Sequence, residues 1–403
     1  MAKRARKRLY DALRIILSIA ALFIVIQGVT FKDQVTLKDG GSVEGLVRFS
    51  VEQQDWVGVE LADKSVQRIA QSDIATDEDG ALKISYGLRT AWSTSTKTLF
   101  LLAIAINSLV VFPLALRFQW LLLAQDIRIS YWEALKLTFA GNFLNFATPL
   151  GSNAGDVFKA YFVSLHTEHK TEAVATVALD RMIGLATLIT VVTAITVFSS
   201  GGGRLATLRP YTLVVFVGGV AGAFVYLSPL LRKYLIPRKW LERLPMFEQI
   251  RRVDNAARTL AGSKSIVLGA VVMTLILQGL ALTAYFTVAV ALGLVANAGN
   301  IIEYYAYFYT GALVQTLPGP PQGLGTVELA YRYLLGPYGS PSQIVCVAFG
   351  IRIVVLACAL PGLLVTLTGS YKPREALPVD EPDEEEQPSA DNTAEKKHDL
   401  AVI

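Results

Sequence analysis

Six charged side chains lie in stretches of the chain that are otherwise apolar enough for a membrane core. They are Asp156, Lys159, Asp180, Arg181, Glu328 and Arg352. A charge at membrane depth is costly, so it marks a substrate pathway or a buried ion pair. For Asp180 and Arg181 both interpretations stay open. Arg352 has no acidic neighbour in its own apolar run, so its partner is another helix or the substrate, and Glu328 is one candidate.

The first group of charges follows a break in a hydrophobic segment that reads NFATPLGSNAGDVFKAYF. Pro149 and Gly151 end the incoming helix. Asn153, with Asp156 three residues later, resembles the capping box that begins a new helix. The unpaired N–H groups and partial positive charge of such a helix start suit a phosphate. Lys159 lies one turn beyond Asp156 and either pairs with it or reaches an anionic head group.

A second break repeats this plan, where EYYAYFYTGALVQTL is followed by PGPPQGLG and then by TVELAYRYLL. Pro318 and Gly319 break the helix in this segment. Backbone that is not helical at membrane depth is tolerated only where protein or a water-filled cavity surrounds it, so we expect the two breaks to share one site. The predicted substrate-binding residues are Asn153, Gly155, Asp156, Lys159, Asp180, Arg181, Gly323, Gly325, Glu328 and Arg352.

The composition indicates an integral membrane protein. Of 403 residues, 53% are hydrophobic and only 17% are charged, against ~25% charged residues in a soluble domain. The net charge of +4 comes from basic residues that flank apolar runs, which is typical of topology signals and not of a nucleic-acid partner. Runs of the ~20 residues that cross a bilayer predict spans at 9–29, 98–123, 173–198, 210–229, 265–295 and 342–369. The first is an uncleaved anchor, and Pro113 predicts a kink in the second.

The distribution of Lys and Arg orients these spans. Their excess between residues 230 and 264 marks a cytoplasmic loop, and both termini then lie in the cytoplasm. This threading requires segments 132–166 and 303–337 each to leave and re-enter on one side. Two re-entrant hairpins of opposite orientation are the pattern of an inverted-repeat transporter, whose substrate site lies where the breaks meet. Ordinary kinked spans, or turns outside the membrane, are the alternative.

A polar insertion separates the first two spans. The stretches QVTLKDGGSVEGLVRF and DWVGVELADKSVQRIA alternate apolar and polar residues around turn sequences, which predicts short half-buried strands with a hairpin. We divide the chain into an anchor helix (1–30), a small extracytoplasmic β module (31–95), a transmembrane domain (96–370) and a disordered cytoplasmic tail (371–403). The fold class is an all-α polytopic membrane protein, with two re-entrant broken-helix hairpins in an inverted repeat, plus the β module.

Signatures of enzymatic chemistry are missing from the sequence. It contains no nucleotide-binding loop, nucleophile elbow or zinc-protease motif in a suitable context, and no third His or Cys lies near His166 and His169. We therefore predict no catalytic residues, no metal and no cofactor.

The quoted segments resemble a known family. TPLGSNAGDVFKAYFV, the Asp180–Arg181 pair, LPGPPQGLGTVELAYRYLL and Arg352 before LPGLL resemble the signature elements of the lysylphosphatidylglycerol synthase transmembrane, or flippase-like, family over residues 98–370. The resemblance implies a polytopic carrier of anionic or glycosylated lipids between leaflets. Asp156 and Asp180 replace the glutamates usual in the family, and the β module is not part of the common pattern.

These patterns predict an inner-membrane lipid transporter that grips a phosphate between its two hairpins, with a membrane lipid as substrate. The sequence leaves open whether the β module binds a protein partner and whether the chain forms an oligomer. One alternative is a membrane anchor or assembly factor whose β module binds a partner. Another is a membrane-embedded transferase acting on lipid-linked sugars.

Overall fold

The computed structural model describes residues 32–47, 56–61, 63–76, 84–85, 87–147, 154–165, 167–199, 202–228, 254, 256–260, 262–295, 299–316 and 323–368. The predicted anchor helix, most of the basic loop and the acidic tail lie outside the described residues. So do the predicted helix-breaking residues Pro149, Gly151, Pro318 and Gly319, and the predicted capping residue Asn153.

The N-terminal module is an antiparallel sheet, as the alternating pattern predicts. Its strands are β1 (Asp33–Thr36), β2 (Ser42–Val47), β3 (Trp56–Glu60), β4 (Val66–Ala70) and β5 (Ile84–Ser85). They are ordered β4-β3-β2-β1-β5. The turn between β1 and β2 needs a left-handed residue, which Gly40 supplies with a φ of +86°. Val35, Val57, Val59, Ile69 and Ile74 form a small core on one face.

Asp33 fixes this module to the helical part of the chain. Its side chain is fully buried and accepts hydrogen bonds from the backbone N–H groups of Val47 and Gly87, each at 2.7 Å. The hydroxyl of Thr90 donates a third bond at 2.9 Å. Gly87 precedes and Thr90 belongs to the first described helix, α1 (Leu88–Ser93). One carboxylate thus joins the end of β2 to the helix that leads into the membrane domain.

The remaining helices follow in the predicted order. They are α2 (Lys97–Ser108), α3 (Val111–Leu123), α4 (Tyr131–Ala147), α5 (Ala154–Ser164), α6 (Lys170–Phe198), α7 (Gly203–Leu227), α8 (Lys264–Ala291), α9 (Ile301–Thr316), α10 (Thr326–Leu334), α11 (Pro341–Ala359) and α12 (Pro361–Thr368). Within the described part of the chain, five stretches are long and apolar enough to cross a membrane: Lys97–Leu123, Lys170–Phe198, Gly203–Val225, Lys264–Ala291 and Pro341–Thr368.

These stretches match five of the six predicted spans, and the sixth lies outside the described residues. The span predicted at 210–229 begins earlier, at Gly203, because its helix continues through two arginines. Arg209 remains helical while its guanidinium donates to the carbonyl oxygens of Thr196 and Ser199 at the end of α6. The hydropathy pattern did not assign the residues before Pro210 to the span, because hydropathy does not account for the hydrogen bonds that the Arg209 side chain makes.

Two of the five stretches are interrupted at a proline. α2 ends and α3 begins around Leu109 and Val110. Pro113 has no N–H to bond the carbonyl oxygen of Leu109, which instead accepts from Phe112. This agrees with the predicted kink. α11 gives way to α12 at Leu360, immediately before Pro361.

Two pairs of short helices lie between the long ones. We call α4 with α5 the first broken pair, and α9 with α10 the second broken pair. The members of each pair pack against each other. In addition, α4 packs against α11 and α12, whereas α9 packs against α6. The main core surrounds α9, where Tyr304, Tyr307 and Phe308 are at most 1% exposed.

Candidate functional site

A cavity of about 470 Å³ lies where the two broken pairs meet. Its wall includes the last turns of α4 and α9, the start of α5 and the middle of α6. Polar groups are set among apolar ones, and the lining contains Asn107, Asn142, Asn145, Phe146, Asp156, Arg181, Tyr285, Gln315, Thr316 and Cys358. The last turns of α4 and α9 thus line one cavity, whereas the breaks that were predicted to share a site lie outside the described residues.

A second cavity of about 140 Å³ adjoins the first. Phe146, Tyr285, Gln315 and Val355 line both, so these four side chains form the partition between them. The smaller cavity is otherwise lined mainly by α10 and α11, and Arg352 contributes its charge there. The two cavities together place one arginine on each side of a shared wall.

Two of the residues that line the large cavity form an ion pair. Arg181 Nε of α6 lies 2.5 Å from Asp156 Oδ2 of α5. The Arg181 side chain is 54% exposed, whereas that of Asp156 is 20% exposed. The start of α5 is held by Asn145, whose Oδ1 accepts from the N–H of Gly155 at 2.7 Å. Asn145 therefore ties the two helices of the first broken pair together at the cavity wall.

Two glycines allow these helices to cross in direct contact. A Cβ on Gly155 would overlap the carbonyl oxygen of Gly141 in α4. A Cβ on Gly141 would lie 3.2 Å from the carbonyl oxygen of Gly155 and 3.3 Å from Lys159 Cε. Gly155, a predicted substrate-binding residue, thus lies where α4 and α5 cross. It is not among the residues that line the large cavity.

Lys159 lies behind the wall of the large cavity. It is 6% exposed, and its Nζ is 5.1 Å from the centre of the Phe118 ring. Among the described residues, no carboxylate lies within the 4.0 Å of an ion pair with Lys159. Its ammonium nevertheless interacts electrostatically with Asp156 and Asp180.

Asp180 and Arg181 are adjacent in sequence but serve different contacts. Successive residues of a helix point ~100° apart, so Asp180 faces the bundle while Arg181 faces the cavity. Arg117 of α3 grips Asp180 through two nitrogens, with Nε–Oδ1 at 2.7 Å and Nη2–Oδ2 at 2.9 Å. Arg117 Nη1 also donates to Thr274 Oγ1 of α8 at 2.8 Å. Of the two interpretations of Asp180, the structure shows the buried ion pair.

The second broken pair carries an ion pair of its own. Arg352 Nη2 of α11 lies 2.8 Å from Glu328 Oε1 of α10, so Glu328, the suggested candidate, is the partner. Glu328 is fully buried and its Oε2 accepts from the N–H of Gly325 at 2.8 Å, which caps α10. Gly325 and Gly323 have φ values of +85° and +63°. These glycines shape the turn before α10, a role that a left-handed backbone explains without a ligand.

Sequence reasoning missed several residues of the cavity wall. The amides Asn107, Asn142, Asn145 and Gln315 lie in apolar helices, where an uncharged polar side chain attracts less attention than a charge. Arg117 was not among the predicted site residues, yet a lone arginine in an apolar helix calls for a carboxylate elsewhere. Both signals are present in the sequence.

The described residues contain no group of three His, Cys, Asp or Glu side chains that could hold a metal ion. The polar groups of the cavity are amides, hydroxyls, one thiol, one carboxylate and one guanidinium, which bind by hydrogen bonds and charge. Such a lining suits an anion that carries hydroxyl or ester oxygens.

Comparison with known proteins adds one finding. A family model described as lysylphosphatidylglycerol synthase TM region matches residues 86–362, which is more than half of the chain. The matched range begins just before α1 and ends in α12, so it leaves all five strands outside and includes both broken pairs. No match to a curated protein is found.

Proposed function

Because the chain belongs to the lysylphosphatidylglycerol synthase TM region family, we propose that it is a transporter that moves an anionic or glycosylated phospholipid between the leaflets of the membrane. The observation that carries the proposal is the polar cavity between the two broken pairs, with an arginine on either side of its partition. In this proposal the protein changes the position of the lipid and makes or breaks no covalent bond.

The dimensions of the broken pairs support re-entrant hairpins. α4 has 17 residues and α5 has 11, while α9 has 16 and α10 has 9. At ~1.5 Å per residue, none reaches the ~30 Å of a hydrocarbon core. The two helices of each pair also pack against each other, so in this proposal each pair enters the membrane and returns on the same side.

Equivalent positions in the first helices of the two pairs support an inverted repeat. The eleventh residue is glycine in both, Gly141 in α4 and Gly311 in α9. Each glycine lets the second helix of its own pair pack closely, because a Cβ on Gly311 would overlap the ring of Tyr331. The fifteenth residue is an amide that lines the cavity in both, Asn145 and Gln315.

The ion pairs occupy equivalent positions too. Asp156 is the third residue of α5, and Glu328 is the third residue of α10. Their partners, Arg181 and Arg352, are each the twelfth residue of the long helix that follows. The packing is reciprocal as well, since the long helix that ends each half contacts the first broken helix of the other half. Two repeats that share one central site are the arrangement expected of an alternating-access transporter.

The two halves differ in exposure, which supports a difference in accessibility between the two broken pairs. The Arg181 side chain is 54% exposed, whereas Arg352 is 20% exposed and its partner Glu328 is 0% exposed. In this proposal the first pair is the accessible one and the second pair is closed. Transport exchanges these roles, and the lipid head group passes from one arginine toward the other along the shared amide wall.

The size of the site fits a lipid head group. Small-molecule sites measure ~300–1,000 Å³, and the large cavity of about 470 Å³ falls in this range. The acyl chains need no pocket, because the exposed faces of the surrounding helices carry apolar side chains such as Leu109, Phe112 and Leu185.

The test is transbilayer movement in proteoliposomes that contain the full chain and acyl-labelled phosphatidylglycerol, with the label in the outer leaflet bleached by dithionite. We expect the wild-type protein to bring inner-leaflet label to the surface, with or without an imposed ion gradient, and Arg181→Gln to slow this about tenfold. Arg128→Gln is the matched control, because Arg128 is exposed in the loop between α3 and α4.

Two results would count against the proposal. If wild-type vesicles under every gradient behave like protein-free vesicles, the transport function is wrong. If Arg181→Gln moves lipid as fast as Arg128→Gln does, the cavity is not the path. If Arg128→Gln moves lipid as fast as the wild-type protein and Arg181→Gln moves it more slowly, the result supports both the function and the site.

A further inference from the structure

Lys159 is a buried titratable group to which the proposed path of the lipid gives no role. It is 6% exposed and lines neither cavity. Its side chain lies at the crossing of α4 and α5, where a Cβ on Gly141 would be 3.3 Å from Lys159 Cε. Its Nζ faces the ring of Phe118, which belongs to an apolar cluster with Val163. An ammonium in such a surrounding is costly, so the neutral amine competes with it.

The charged groups around Lys159 come from three helices. The described side chains that interact with its ammonium are Asp180 and Arg181 of α6, Asp156 of α5 and Arg117 of α3. The helix α4 also packs against α5, but it presents Gly141 to Lys159. The charged residues of α4, Glu133 and Lys136, lie in its first two turns, whereas the crossing is at its eleventh residue. Among the described residues, two carboxylates and two guanidinium groups therefore set the electrostatic surrounding of this amine.

Both of these carboxylates are held by arginines. Arg117 contacts Asp180 through two nitrogens, and Arg181 Nε lies 2.5 Å from Asp156 Oδ2. An arginine keeps its proton at every accessible pH, whereas a buried lysine can release its own. Of these three cations, Lys159 is thus the one whose charge can change. Its charge state depends on how firmly Arg181 holds Asp156, because that carboxylate is one helical turn away.

From this we infer that the protein couples lipid movement to a proton, which Lys159 binds when the head group reaches Arg181 and releases when the head group leaves. The inference rests on the proposed function and adds an energy source to it. Asp156 lines the large cavity, so a phosphate that draws Arg181 away frees this carboxylate to stabilise the ammonium of Lys159. The proton comes from the aqueous side to which the cavity is open, passes by Asp156 and adds to the lone pair of Lys159 Nζ. No other bond forms or breaks.

Coupling of this kind makes a quantitative demand on transport. If lipid binding favours protonation, protonation favours lipid binding by the same factor. A proton and a singly charged anionic lipid that cross together carry no net charge. At steady state the ratio of the lipid between the two leaflets then equals the ratio of proton concentrations across the membrane. A gradient of about one pH unit therefore concentrates the lipid about tenfold in the leaflet on the less acidic side.

The experiment uses phosphatidylcholine vesicles that contain the full chain and a trace of acyl-labelled phosphatidylglycerol, with the interior more acidic by about one pH unit. Phosphatidylglycerol is the probe because its phosphodiester stays ionised, so the lipid does not cross by taking up the proton itself. Dithionite measures the share of label in the outer leaflet at steady state. We expect wild-type protein to place about ten times as much label in the outer leaflet as in the inner one. Without a pH gradient the label should divide equally.

Two replacements of Lys159 separate proton transfer from a fixed charge. Lys159→Met never carries the charge and Lys159→Arg never loses it. Both should therefore move label yet leave it equally divided under the pH gradient. The matched control Lys136→Met on α4 should accumulate label as the wild-type protein does. Accumulation retained by Lys159→Arg would overturn the inference, because a fixed charge would then be sufficient.

Proton uptake by the wild-type protein provides a measurement that does not depend on the folding of a variant. Short-chain phosphatidylglycerol is added to the full chain in detergent, in weakly buffered solution with a pH indicator, and phosphatidylcholine serves as the control lipid. We expect phosphatidylglycerol to cause an uptake of up to one proton for each lipid bound. No uptake at any pH at which the protein stays folded overturns the inference.

The outcomes distinguish the coupling from the transport function. If wild-type protein moves label but a pH gradient leaves the two leaflets equal, the coupling is wrong and the proposed function stands. If wild-type protein moves no label under any gradient, the proposed function fails and the coupling fails with it.

Discussion

Replacing Arg352 by glutamine leaves the carboxylate of Glu328 buried without its ionic partner. Glu328 is fully buried, with one oxygen 2.8 Å from Arg352 and the other occupied by the N–H of Gly325. Removing one partner of a buried ion pair costs ~3–5 kcal/mol, because the remaining charge stays desolvated. We therefore expect Arg352→Gln to reduce the free energy of unfolding by an amount in this range.

The equivalent change in the first half provides the comparison. The group that Arg181→Gln leaves behind is Asp156, which is 20% exposed, whereas Glu328 is 0% exposed. An ion pair that solvent reaches contributes only ~0–1 kcal/mol. We expect Arg352→Gln to lower the apparent Tm of the purified protein at least three times as much as Arg181→Gln does. Neutralising both partners, in Glu328→Gln with Arg352→Gln, should recover most of the loss. Equal losses in the two halves, or no recovery in the double variant, would refute the assignment of one open and one closed pair.

Three further outcomes follow from the packing and the domain organisation. Gly155→Ala forces a Cβ against the carbonyl of Gly141 and should destabilise by ~1–3 kcal/mol in thermal unfolding, whereas Gly218→Ala, in open space, should not. Asp33→Asn weakens the three hydrogen bonds at that carboxylate and should make the β module more susceptible to limited proteolysis, which an unchanged digestion pattern would contradict. Deletion of residues 31–85, which removes the strands and keeps α1, should leave lipid movement in proteoliposomes intact. If neither the full chain nor the deletion variant moves lipid, and the deletion variant no longer captures a protein partner, the anchor function is favoured.

Much of the fold could be predicted from local sequence patterns. Alternation predicted β1 to β4, because a strand with one buried face must alternate along its own length. Hydropathy predicted five of the long helices, since a bilayer imposes both length and composition. The pairing of Glu328 with Arg352 was among the predicted alternatives, because Arg352 has no acidic neighbour in its own apolar run.

The rest depends on contacts between distant segments. Asp180 and Arg181 are neighbours in the chain, and only the rotation of α6 sends one to Arg117 and the other to the cavity. Arg117 is 63 residues before Asp180, and nothing in the local sequence names it as the partner. The equivalence of Asn145 and Gln315 is present in the sequence but becomes visible only when the first residues of α4 and α9 are known.

The central claim is that the large cavity opens alternately to the two sides of the membrane, and a native cysteine tests it directly. Of the two cysteines, Cys358 lines the cavity and Cys346 is buried. In the Cys346→Ala protein, sealed vesicles of both orientations would be exposed to a membrane-impermeant maleimide, with and without an ion gradient. Alternating access predicts that Cys358 is labelled from both faces and that phosphatidylglycerol changes the ratio of the two rates. Labelling from one face only, under every gradient and with lipid present, would contradict the account.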